Sequence, residues 1–129
     1  MNESRLQLID AAKEVCGEFS LREDFSAGSV SAAIRTAQGN VYTGICIDLA
    51  CGLGFCAEVA AVAEMLKHRE TQISAIVTVS AGKVLGAPCG RCREMMVQVD
   101  AKNLDSMVIL GENQEVSLRE LLPDHWLTQ

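Results

Sequence analysis

The chain has 129 residues, 49% hydrophobic and 22% charged, the balance of a globular protein with length for one compact domain and its own core. A net charge of −6 and a sequence pI of about 4.8 exclude the basic stripe that tracks phosphates, so no nucleic-acid partner is expected. The opening "MNESRLQLIDAAKE" lacks the apolar stretch of a secretory signal, and no apolar run reaches the roughly 18 residues of a membrane span; a cytoplasmic protein with no membrane partner is expected.

From Glu3 to Phe19 the apolar residues Leu6, Leu8, Ile9, Ala12 and Val15 recur at helical spacing. "SLREDFSAG" reads as a break. "SVSAAIRTA" and "NVYTGICIDL" read as two antiparallel strands joined through "QG" and Asn40. "LACGLGF" is a glycine-bearing loop that leads into a long helix from about Cys56 to His68, and the apolar "AEVAAVAEML" predicts that this helix is covered on more than one side. Its glycines do not make a phosphate loop, because no Lys-Ser/Thr pair follows. Then come a buried strand, "ISAIVTVSA", a loop, "GKVLGAP", a second helix, "CGRCREMMVQV", a strand, "SMVIL", and a short helix in "VSLRELLP". The alternation predicts a single domain over 1–129 of the α/β class, with helices on both faces of one sheet.

Six cysteines in a chain without a signal segment read as reduced thiols. Cys89 and Cys92 are three apart, which puts both sulfurs on one helix face, about 60° apart. Pro88 precedes them, as suits a chain entering a helix. The positive end of the helix dipole favours thiolates there. Two thiolates do not close a zinc site, and Cys56 is the best third ligand: it also opens a helix, one αβ passage upstream and therefore at the same sheet edge. Glu58 lies two residues on, about 200° around a regular helix, so the two can share a pocket only if Cys56 is a cap outside helical geometry. Gly52 and Gly54 make that entry plausible. Three protein ligands with an open fourth position are the layout of a catalytic zinc, and a neighbouring carboxylate supplies the base that its water needs. A structural zinc module, the contrasting reading, calls for a fourth ligand, and none has sensible spacing. Cys16 and Cys46 read as core residues and Cys51 as a loop thiol. His68 and His125 are not needed as ligands, and Met95 and Met96 read as packing residues.

With "SVSAAI" and "NVYTG", "CAE", "PCGRCRE" and "RELLP", the chain resembles the zinc-dependent cytidine deaminases nearly end to end, and among them the blasticidin-S deaminases. The "CAE" and "PCGRC" pair carries most of that resemblance. It implies a three-layer α/β/α fold on a five-stranded mixed sheet and a homotetramer whose pockets are completed across subunits. It also implies one Zn²⁺ per subunit on Cys56, Cys89 and Cys92, with Glu58 shuttling protons and the N–H of Ala57 holding the ring carbonyl. The implied activity is hydrolytic deamination of an amino-pyrimidine, either a cytosine nucleoside or a nucleoside-like antibiotic such as blasticidin S. Deamination of another amino-heterocycle or modified pyrimidine is the alternative.

Some positions depart from that pattern. Where the family carries a sugar-holding Asn and Glu, this chain has Cys46 and Asp48, and Gly28 aligns with an aromatic that packs on the base. Trp126 follows "RELLP", where the family places an aromatic near the pocket; packing of the tail on the core is the other reading. Three thiolates and Zn²⁺ sum to −1, an excess that weakens the metal as an acid. Val59 stands where many relatives have an arginine, so Arg91 or Arg93 is the expected compensating donor, the alternative being two solvated helix charges.

Overall fold

The computed structural model describes residues 3–128. Helix α1 covers Glu3–Glu14 and ends earlier than its periodicity predicts; Val15 is already 40% exposed. The expected break at "SLREDFSAG" is instead a hairpin. Strand β1, Phe19–Arg22, turns through Asp24, at φ 70°, into the long strand β2, Phe25–Thr36. Strand β3, Val41–Asp48, pairs antiparallel with β2, and helix α2, Ala57–Lys67, follows. Next come β4, Ile73–Ser80, and a two-residue strand β5, Lys83–Val84, within the stretch expected to be loop. Helix α3, Gly90–Val99, and a 3₁₀ turn, Ala101–Asp105, precede β6, Met107–Gly111. The run "VSLRELLP" is only partly helical: its first two residues end strand β7, Gln114–Ser117, which leaves four residues for α4, Leu118–Leu121.

The strands form one mixed sheet in the order β1-β2-β4-β6-β7, with β3 also on β2 and β5 also on β4. Among the described residues it has seven strands rather than the expected five. Among the described residues only β4 and β6 pair in parallel; the other strand pairs are antiparallel.

Because side chains alternate across a pleated sheet, each central strand feeds two cores. Ala32, Ile34, Ile76 and Val108 join Ala61, Met65 of α2 and Met96 of α3 on one face. Ala33, Val77, Val79 and Ile109 meet Leu8, Ile9 and Ala12 of α1 on the other. Helices therefore cover both faces, as expected. The small residues let α2 lie very close to the sheet. A Cβ at Gly44 of β3 would stand 2.4 Å from the backbone nitrogen of Ala61 and 2.7 Å from the carbonyl oxygen of Ala57.

Strands β3 and β4 are both antiparallel to β2, so they run in the same direction and end at the same sheet edge. β3 leads into α2 and β4 into α3. Both helices consequently begin at that edge.

Candidate active site

Cys56 is the N-cap of α2, with extended φ −72° and ψ 154°, which removes the 200° separation that a continuous helix would impose between it and Glu58. The backbone of Phe55 is clamped to β3 by two hydrogen bonds, Ile47 N–H to its carbonyl at 3.1 Å and its own N–H to Ile47 at 3.0 Å. Gly54 fits under this clamp because a Cβ there would fall 2.2 Å from the Ile47 carbonyl oxygen. Cys89 caps α3 in the same way, at φ −66° and ψ 167°. Cys92, in the first turn of α3, is fully buried.

The three sulfurs all lie within 4.8 Å of one another, and those of Cys56 and Cys89 are 3.7 Å apart. Two thiolates each about 2.3 Å from a tetrahedral zinc stand roughly 3.8 Å apart, so the donor set fits that ion. Among the described residues no fourth metal-capable side chain joins the cluster. Burial, the charge of Glu58 and the neighbouring thiols push Cys92 far above the usual thiol range. Burial and a hydrogen bond with Cys89 push Cys56 up as well. Cys89 is drawn down: burial opposes its thiolate, but hydrogen bonds from the Cys92 backbone and from both other thiols prevail.

Glu58, in the first turn of α2, is only 5% exposed. Burial raises its carboxyl above the ordinary carboxylate range, while its own backbone N–H and the Cys92 thiol pull the other way. It lines a cavity of about 540 Å³ together with Ala57, Cys56 and Cys89. The cavity wall thus carries two cysteines of the sulfur cluster and a buried carboxyl, the groups needed to hold a metal ion and to activate water beside it.

Of the remaining expected residues, Asp48 and Arg91 line the cavity and Trp126 does not. Trp126 is 61% exposed and donates from Nε1 to Glu94 Oε2 at 3.0 Å, beside His125, whose Nε2 lies 2.8 Å from Glu94 Oε1. This arrangement packs the tail on α3. Arg93 turns away from the cavity: Nε donates to the Pro88 carbonyl at 2.8 Å and Nη1 to that of Leu121 at 3.3 Å. Cys46 is buried, as a core residue should be, but it also forms part of the cavity wall. Cys51 stays exposed in the loop, and Cys16 faces the carbonyls of Ser29 and Val79. His68 stacks on Tyr42, far from the sulfurs in the fold, at the other end of α2.

Two further polar side chains on the cavity wall, Ser29 and Thr78, carry no signal in the sequence. They sit inside strands, where sequence alternation marks a face but not a cavity. Gly28 cannot take the role of the family's aromatic. With φ 85°, a Cβ there would be 2.4 Å from the carbonyl oxygen of Gly17.

The cytidine deaminase of Halalkalibacterium halodurans is 34% identical over 104 residues, which cover 77% of each chain. The crystal structure of cytidine deaminase from Mycobacterium tuberculosis superposes with a TM-score of 0.79 at 27% identity, covering 97% of this chain and 98% of that one. That of the Burkholderia pseudomallei enzyme gives 0.73 at 30% identity, covering 96% and 98%. No protein-family model matches the chain. The fold and these likenesses define the class as a hydrolytic deaminase acting on a C–N bond. Within that class, the chain belongs to the cytidine deaminase family.

Proposed function

We propose that the protein deaminates a cytosine nucleoside, or a nucleoside-like antibiotic such as blasticidin S, to the oxo product with release of ammonia. The observation that carries this reading is the convergence of three sulfurs within 4.8 Å of one another, with Cys56 and Cys89 lining a cavity that the buried carboxyl of Glu58 also lines.

Cys56, Cys89 and Cys92 would hold one Zn²⁺ per subunit, leaving its fourth position open. When bound, the ion supplies a Lewis acid that brings the pKa of water toward neutrality. The Glu58 carboxylate takes a proton from the attacking water and returns protons to the ring nitrogen and to the departing amine, so that ring amine and water become oxo group and ammonia. The Ala57 N–H, at the start of α2, orients the ring by its carbonyl, and Asp48 receives the substituent on the ring. Arg91 lies on the cavity wall and offsets the negative charge of three thiolates; Arg93 is committed to the Pro88 and Leu121 carbonyls.

The whole of 1–129 acts as one domain, in the cytoplasm, as a homotetramer. Among the described residues no helix is long and apolar enough to cross a membrane. Leu49 and Leu85 on the cavity wall and Leu53 in the adjoining loop are exposed, Leu53 to 72%, an apolar rim suited to cover by another subunit.

Glu58→Ala tests the assignment. The variant should retain stoichiometric zinc and its fold while ammonia release from cytidine, deoxycytidine and blasticidin S is abolished. Wild-type rates in the variant would refute it.

A further inference from the structure

The β2–β3 ladder slips between Ala27 and Ser31, where Gly28 takes positive φ. Such an irregularity re-aims a side chain, and Ser29 lines the cavity together with Cys46 and Asp48 of β3. Ser29 Oγ lies 3.3 Å from Cys46 Sγ and donates to Asp48 Oδ2 at 3.5 Å. Cys46 Sγ donates to the same oxygen at 3.6 Å and accepts the Val30 N–H at 3.4 Å.

A serine and a cysteine bring one polar hydrogen each, and both reach the one carboxylate oxygen. This wall therefore has no donor left over. Asp48 makes no ion pair among the described residues, and its other oxygen has no hydrogen-bond partner there. The wall offers an incoming group one uncompensated negative charge and acceptor atoms only. A neutral hydroxyl, which both donates and accepts, is half matched; a protonated amine, which only donates, is fully matched.

We propose that Ser29, Cys46 and Asp48 form a subsite for a cationic substituent on the amino-pyrimidine substrate. Asp48 is the counter-ion, and Ser29 and Cys46 are the positioning residues that hold its carboxylate. The inference rests on the proposed deamination only in placing the ring at the Glu58 end of the cavity.

Product-like probes test it without turnover. Kd is measured by calorimetry on the zinc-loaded protein for uridine, 3′-amino-3′-deoxyuridine and 5′-amino-5′-deoxyuridine, at a pH where the amines are protonated. The better amine should bind roughly five-fold tighter than uridine, the scale of one partly exposed ion pair. That preference should weaken with added salt, vanish in Asp48→Asn and shrink in Ser29→Ala. Uridine binding as tightly as both amines, or a preference that survives Asp48→Asn, overturns the subsite. Should Asp48→Asn fail to fold, Ser29→Ala decides, and an unchanged preference there overturns it. Ammonia release from cytidine, measured in parallel, reports on the reaction alone. Turnover without amine preference removes only the subsite, and amine preference without turnover removes only the reaction.

Discussion

The guanidinium of Arg93 donates to the carbonyl of Pro88 at 2.8 Å, so a side chain from the first turns of α3 braces the residue just before Cys89. Its second bond, to Leu121 at 3.3 Å, ties the same brace to α4. Arg93→Ala should leave all three sulfurs in place but loosen the loop that sets Cys89. Zinc affinity should fall about ten-fold, the lower end for losing a group that supports a ligand, as read by competition with a chromophoric chelator. Arg93→Lys should recover little of it, because a point charge cannot reproduce a planar fork between two carbonyls.

Arg91 is the contrasting case, one residue before Cys92 and facing the cavity. If its charge offsets the three thiolates, Arg91→Gln should move the acid limb of the kcat/KM profile upward in pH, since the site becomes more negative and gives up protons less readily. The fold should be unaffected, because the side chain is exposed. An unshifted profile with wild-type zinc affinity would remove this role.

Gly44 and Ala61 set how far Glu58 stands from the sheet. A methyl at Gly44 would meet helix backbone, at 2.4 Å and 2.7 Å, and backbone cannot rotate away as a side chain can. Gly44→Ala should therefore push α2 outward, destabilising the protein by about 2 kcal/mol, seen as a lower urea midpoint at unchanged slope. Activity should fall further than stability, because displacing a catalytic carboxyl by even an ångström misaligns it.

Much of the site was legible because its chemistry is local. Pro88, the i, i+3 spacing of Cys89 and Cys92, and the glycines before Cys56 are signals carried by neighbours in sequence. The requirement that Cys56 be a cap followed from helix geometry alone. Ser29 was not legible, because its direction depends on a ladder slip against β3 and on the contact of Gly28 with Gly17, both non-local. Strand β1 escaped for another reason: all four of its residues are exposed, so no face alternates. Trp126 shows the limit of position as a guide, since its nearest polar partner is Glu94 on α3 rather than anything in the cavity.

At the far end of α2, the Tyr42 hydroxyl donates to Glu70, which also accepts from Asn40 Nδ2 at 2.9 Å. The bond to Glu70, burial and the negative charge nearby raise the phenol from 10.0 to about 12. A folded pKa above the unfolded one means that this interaction stabilises fully below about pH 10 and is lost as pH rises through 12. Tyr42 is the chain's single tyrosine, so phenolate absorbance reports it alone. Native protein should titrate about two pH units above protein in urea, and Tyr42→Phe should flatten the alkaline limb of the stability profile. Coincident titrations in the two states would contradict the bond.

Removing the metal tests the cluster as a whole. Three sulfurs held at cap and first-turn positions are a folded-state site that the unfolded chain lacks, so a bound ion stabilises by mass action. With free zinc at a thousand-fold over Kd, that amounts to about 4 kcal/mol, and chelation should lower the melting temperature reversibly. Cobalt substitution then counts the ligands, since each thiolate adds to the sulfur-to-metal charge-transfer band. The wild-type intensity should match three thiolates in tetrahedral geometry. Cys56→Ser, Cys89→Ser and Cys92→Ser should each lose about a third of it, whereas Cys51→Ser should lose none. A fourth thiolate in the spectrum, or an effect of Cys51→Ser, would close the open position on which water must bind, and the hydrolytic reading of this cavity would fall with it.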